Sequence, residues 1–195
     1  MIKHKKQSKK TAPQGSIRII AGKHRGRKLP VLMAEGLRPT TDRVKETVFN
    51  WLMPYIQDSK CLDCFAGAGS LGFEALSRGA SSVKCIELDK SAARQLTQNK
   101  ATLAADNLTV EHADALKFLA THTEKYSIVF IDPPFRHNLA EKVARLVNEN
   151  CLTEDALVYV EMEKDSNRQQ MPKHWRLLKE KVAGQVCYQL YELSN

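Results

Sequence analysis

From residue 60 onward the chain alternates apolar strand-like runs with helical segments, and this alternation restricts its fold more than any other feature. Runs of strand character fall near 60–65, 82–88, 108–112, 126–131 and 156–161. Segments with helical spacing lie between them, near 70–78, 90–104, 114–120 and 138–149. Strands that alternate with helices pair in parallel, and their sheet is covered on both faces. The last stretch breaks the rhythm. Arg176–Val182, an Ala183-Gly184 turn and Gln185–Leu193 read as a hairpin with no helix between its strands. The expected class is α/β: a mostly parallel central sheet with helices on both faces and a C-terminal antiparallel hairpin. With 195 residues, 43% of them hydrophobic, the chain suits one domain with a small appendage.

The appendage is N-terminal. Residues 1–15 are lysine-rich and nearly free of large apolar side chains, so they read as a disordered basic tail. Ile17–Ala21, a turn through Gly22-Lys23-His24-Arg25-Gly26, and Arg27–Val31 read as a short β-hairpin. A helix over about 41–53 follows, capped by Thr41 or Asp42, with Val44, Val48, Trp51, Leu52 and Tyr55 facing a core. The hairpin and helix are expected to form an extension over 16–56, ahead of a main domain over 57–195.

Charge is uneven along the chain. Residues 1–43 hold twelve Lys/Arg against two Asp/Glu, whereas the other 152 hold 18 against 20. A basic excess confined to the first quarter is a footprint for a polyanion, nucleic acid first among them. Lys23, Arg25, Arg27 and Lys28 on one small hairpin exceed what solubility needs and read as phosphate contacts.

Two motifs carry chemistry. Asp63-Cys64-Phe65-Ala66-Gly67-Ala68-Gly69-Ser70-Leu71-Gly72 follows the first parallel strand and opens a helix. Gly67 and Gly69 allow a ligand close to the backbone, and the helix end supplies free N–H groups. A dinucleotide would place its pyrophosphate there. Asp63, at the strand's end, would repel that diphosphate but suits the ammonium and sulfonium of S-adenosylmethionine. Glu87 ends the second strand, where a carboxylate can accept ribose hydroxyls. Asp114 follows the third strand, where it can accept from an adenine amine, cap the next helix, or do both. Asp89 reads as another cap. The second motif, Asp132-Pro133-Pro134-Phe135, ends the fourth strand. The prolines hold carbonyls outward instead of in a ladder. A planar heterocycle could give both amine hydrogens to Asp132 and a backbone carbonyl while lying on Phe135. All these acids sit at strand ends, so they converge on one crevice.

Of Cys61, Cys64, Cys85, Cys151 and Cys187, four sit inside apolar strand-like runs and read as reduced, buried thiols of a cytoplasmic protein. Cys61-x-x-Cys64 lacks a second ligand pair, so no metal is expected. No stretch has a secretory h-region or the length of a membrane span.

Asp63–Gly72, Glu87, Asp114 and Asp132–Phe135 together resemble class I S-adenosylmethionine-dependent methyltransferases. Arg18–Gly22, Gly26–Leu29, Arg38–Glu46 and Glu180–Gln185 narrow the resemblance to the ribosomal small-subunit RNA methyltransferase D family. That resemblance implies a Rossmann-like fold and methylation of a guanine exocyclic N2 in 16S ribosomal RNA, presented on an assembling small subunit. It implies cofactor binding by Asp63, Gly67, Gly69, Glu87 and Asp114, and base binding by Asp132, Pro133, Pro134 and Phe135. Arg38, Thr41 and Arg43 are then expected to close over both sites. A monomer is expected. The residues alone leave three other readings open: an adenine-N6 methyltransferase, a nicotinamide oxidoreductase, and a noncatalytic ribosome-assembly protein.

Overall fold

A computed structural model describes residues 14–32, 41–134, 139–164 and 171–193. In chain order they form β1 (Gln14–Arg18), β2 (Lys28–Leu32), α1 (Asp42–Leu52), β3 (Lys60–Asp63), α2 (Ser70–Ser77), β4 (Ser82–Glu87), α3 (Lys90–Leu103) and β5 (Leu108–His112). They continue through α4 (Ala115–Thr121), β6 (Tyr126–Ile131), α5 (Leu139–Asn150), β7 (Leu152–Glu163), β8 (Trp175–Ala183) and β9 (Val186–Leu193). Seven strands make the main sheet in the order β5-β4-β3-β6-β7-β9-β8. The first five are parallel; β9 and β8 close the edge antiparallel, as the expected class requires.

Side chains alternate across each strand, so the sheet builds two cores. Ile128 and Phe130 of β6 join one, with residues of β1, β2, α1, α2 and α3. Val129 and Ile131 join the other, under α4 and α5. Both faces of β6 are apolar because both are covered. No helix among the described residues is long and apolar enough to cross a membrane.

The elements differ from the sequence expectation in a few places. β1 starts at Gln14, inside the stretch read as tail, and stops at Arg18. Beyond it the amides of Ile20 and Ala21 turn away from the ladder and donate to the Glu74 carboxylate, at 2.8 and 3.1 Å. β7 starts at Leu152, four residues early; exposed Glu154 and Asp155 concealed it. α1 is capped by the Thr41 hydroxyl, which accepts from Val44 N–H. Tyr55 lies past the helix end and is exposed, while Phe49, which the spacing passed over, is buried against Phe130.

The hairpin turn docks on the end of α2. Lys23 N–H donates to the Ser77 carbonyl at 2.7 Å, and His24 N–H to the Ser77 hydroxyl at 2.9 Å. Gly22 sits there at φ +81°, and a Cβ would lie 1.7 Å from the Ser77 oxygen. Only glycine fits that contact.

Candidate active site

β3 is the point where strand order reverses: β4 and β5 lie to one side, β6 and β7 to the other. Connections on the two sides diverge, leaving a crevice at the carboxyl ends of β3 and β6. Both sequence motifs leave the sheet there. Asp63 pairs with Phe130, and Cys64 N–H donates to the Phe130 carbonyl at 3.0 Å. Asp132 follows two residues later, beside the glycine loop.

The loop is tied to β4 and its end. Ala66 N–H reaches the Ile86 carbonyl at 2.9 Å, tying it to β4. Gly67, at φ +51°, donates its N–H to Glu87 Oε2 at 2.7 Å. Glu87 Oε1 accepts from Asp89 N–H, also at 2.7 Å. Each Glu87 oxygen keeps one lone pair, so the carboxylate fixes the loop and can still accept a ribose hydroxyl. Gly69, at φ +82°, caps α2 without a side chain.

Asp63 lies beneath the loop, not on its surface. It is only 1% exposed, Oδ2 accepts from Gly72 N–H at 3.2 Å, and Oδ1 is a buried oxygen with no hydrogen-bond partner among the described residues. Burial pushes its carboxyl up to about 7, against the opposing pull of the Phe65 and Gly72 amides. Its charge sits under the glycine loop, where it acts on its surroundings through the electric field. Asp114 and Asp89 cap α4 and α3, as expected, accepting from Lys117 and Ala92 N–H at 3.0 and 2.8 Å.

Asp132 is half-buried, Pro133 buried and Pro134 exposed, while Phe135 lies outside the described residues. The hydroxyl of Tyr159 on β7 is raised well above its usual range by burial, then by Glu161, with Asp132 among the further causes. Tyr159 donates to Glu161 Oε1 at 2.6 Å.

The basic residues stand elsewhere. Lys23, Arg25, Arg27 and Lys28 are exposed at the hairpin's turn, against the C-terminal ends of α2 and α3; Arg27 Nη2 donates to the Thr102 carbonyl at 3.4 Å. These helix ends point away from the glycine loop, which opens α2 at its other end. Arg38 lies outside the described residues; Thr41 caps α1, and Arg43 is exposed in its first turn.

Two buried acids escaped the sequence reading. Glu74, on α2, has no exposed surface and gathers the Ile20 and Ala21 amides, Arg78 Nε at 2.7 Å and Lys45 Nζ at 3.8 Å. Glu161 ends an apolar run on β7 and is 6% exposed. Each interrupts a hydrophobic stretch, which is the signal that flags a partnered buried charge.

The family described as Conserved hypothetical protein 95 matches residues 17–192. The Ribosomal RNA small subunit methyltransferase D of Escherichia coli is 53% identical over 179 residues, 91% of this chain and 90% of that relative. Its Haemophilus influenzae counterpart is 55% identical over 184 residues, 92% of this chain and 95% of that one. The chain belongs to the ribosomal RNA small subunit methyltransferase D family. The solved structure of yhhF from Escherichia coli superposes on it with TM-score 0.85 and 52% identity, covering 92% of this chain and 99% of that one.

The donor set fits the methyl donor that a methyltransferase D protein needs. Asp63 Oδ1 is an orphaned buried oxygen under the loop, and Asp63 Oδ2 already takes an N–H from the first turn of α2. A carboxylate there opposes a diphosphate and favours the sulfonium and ammonium of S-adenosylmethionine. Asp63 is held above its unfolded value of roughly 4. The folded protein therefore keeps a proton that the unfolded chain gives up, and apo stability falls as pH rises from about 4 through about 7. A bound cation favours the ionised acid. Affinity for S-adenosylmethionine should therefore climb between pH 6 and 8 with proton release, measurable by calorimetry in buffers of different ionisation enthalpy. A flat profile without proton release would refute this role.

Proposed function

We propose that this protein transfers a methyl group from S-adenosylmethionine to the exocyclic N2 of a guanine in 16S ribosomal RNA, presented on an assembling small subunit. The observation that supports the reading is that β3 and β6, which lead into the glycine loop and into Asp132-Pro133, are paired neighbours at the reversal point of the sheet. The names of the relatives support ribosomal RNA as substrate.

When bound, S-adenosylmethionine supplies an electrophilic methyl carbon on sulfur. The protein's part is orientation. The guanine amine is conjugated with its ring and is a poor nucleophile. Asp132 and the Pro133 carbonyl accept its two hydrogens, which turns the nitrogen lone pair toward the methyl group and offsets positive charge growing on nitrogen. A donor held by the glycine loop and Glu87 would give up its methyl carbon and keep the electron pair on sulfur, and the methylated amine would lose a proton to solvent. No strong base is needed. The base must leave its stack, so a loop nucleotide is an easier target than a paired one.

Loss of one N2-methylguanosine from the ribosomal RNA of cells lacking this protein, restored by the wild-type chain, is the expected result. Loss of N6-methyladenosine instead would overturn the guanine assignment. In this reading residues 16–56 extend the methyltransferase domain of 57–195 toward RNA. Neutralising Lys23, Arg25, Arg27 and Lys28 together should weaken RNA binding and flatten its salt dependence, by a log–log slope of up to about 0.7–0.9 per lost phosphate contact. The hairpin turn docks on the end of α2 that points away from the glycine loop, so these contacts fall on RNA away from the target base. An unchanged slope would move the RNA surface off the hairpin.

A further inference from the structure

Asp132 and Pro133 recognise only the two hydrogens of an amine, which guanine and adenine share. What separates the bases is the adjoining ring nitrogen. Beside its amine, guanine carries N1–H, a donor; adenine carries a bare N1 lone pair, an acceptor. We propose that Glu161 selects guanine by accepting N1–H while Asp132 and Pro133 hold the amine. This rests on the guanine-N2 reading above and supplies its base specificity.

Three observations place Glu161 for that role. Ile131 pairs with Val160, so Asp132 and Glu161 are the next residues along two adjacent parallel strands. Such strands run about 4.8 Å apart. Glu161 lies two residues beyond Tyr159 and Asp132 two beyond Phe130, so alternation turns both toward the face where Tyr159 and Phe130 share one core. Finally, Glu161 is a buried acid with unused capacity. It is 6% exposed, and the Tyr159 hydroxyl fills one of the roughly four acceptor sites that its two oxygens offer.

The surroundings hold the carboxylate still. The Tyr159 ring packs edge-on against Phe130, with centroids 6.3 Å apart, and Tyr188 pairs with Glu161 from β9. A fixed acceptor discriminates well, because the wrong base brings a lone pair against a desolvated oxygen.

The test uses small-subunit particles reconstituted on 16S RNA whose target guanine, first located by nucleoside analysis, is replaced by 2-aminopurine. That base keeps the C2 amine and lacks the N1 proton. Wild-type kcat/KM should favour guanine by about a hundredfold or more. In Glu161→Gln the amide can donate to the lone pair, so the guanine-to-2-aminopurine ratio should fall to about one or below. A ratio taken within one variant cancels losses from folding or cofactor binding. A ratio unchanged in Glu161→Gln, or wild-type protein indifferent to the two bases, would overturn the proposal. Should Glu161→Gln fail to fold, the wild-type comparison still decides. Wild-type protein that leaves guanine unmodified and methylates adenine would instead sink the underlying guanine-N2 reading.

Discussion

Asp132→Ala is expected to slow single-turnover methyl transfer by about a thousandfold while leaving affinity for S-adenosylhomocysteine within about twofold of wild type. The size follows from losing one aimed acceptor in a desolvated site, where such groups are worth two to three orders of magnitude or roughly 3–4 kcal/mol. Binding should survive because the glycine loop is held by β4, β6 and Glu87, none of which depends on the Asp132 side chain. Folding should survive because Asp132 is only half-buried and follows the last paired residue of β6. Asp132→Asn keeps an acceptor and the shape of the side chain, so its loss should be smaller. Transfer in the alanine variant within tenfold of wild type would show that orientation by this carboxylate is not the source of the rate.

Glu74→Ala should have the largest effect on stability. The carboxylate joins three pieces of chain distant in sequence: the end of the hairpin through Ile20 and Ala21, α1 through Lys45, and the last turn of α2 through Arg78. Lys45 is 1% exposed, and burial, opposed chiefly by Glu74, lowers its ammonium below the usual range. Removing Glu74 leaves Lys45 without its buried counter-charge and strands two backbone amides. Breaking such a buried pair typically costs about 3–5 kcal/mol. For a chain of this size that is a fall in Tm of about 10 °C. Glu74→Gln can still accept from the amides and should fall between the two. A Tm within 2 °C of wild type in the alanine variant would show that hydrophobic packing alone holds the hairpin.

The same residues show how much was legible beforehand. Cofactor loop, strand-end acids and Asp132-Pro133 were readable because each is a local pattern: an apolar run, then glycine, acid or proline at its end. Glu87 shows the limit. Its position was evident, but its hydrogen bonds to Gly67 and Asp89 N–H were not, because they depend on how the loop folds back. Asp63 was legible as a strand-end acid for the cofactor, but its burial beneath the loop was not, since side-chain direction depends on which face the neighbouring helix covers. The basic hairpin was visible as charge, but its distance from the crevice follows from docking on α2.

Periodicity along the chain determined the parallel sheet, its antiparallel edge and the convergence of acids at one end, because strand and helix repeats are set by neighbours a few residues away. Packing decided what joined across the sheet. Glu74 meets amides 53 and 54 residues earlier. Glu161 comes level with Asp132 only through the pairing of β6 with β7. Such partners are chosen by burial and hydrogen-bond satisfaction in three dimensions, which no local pattern encodes.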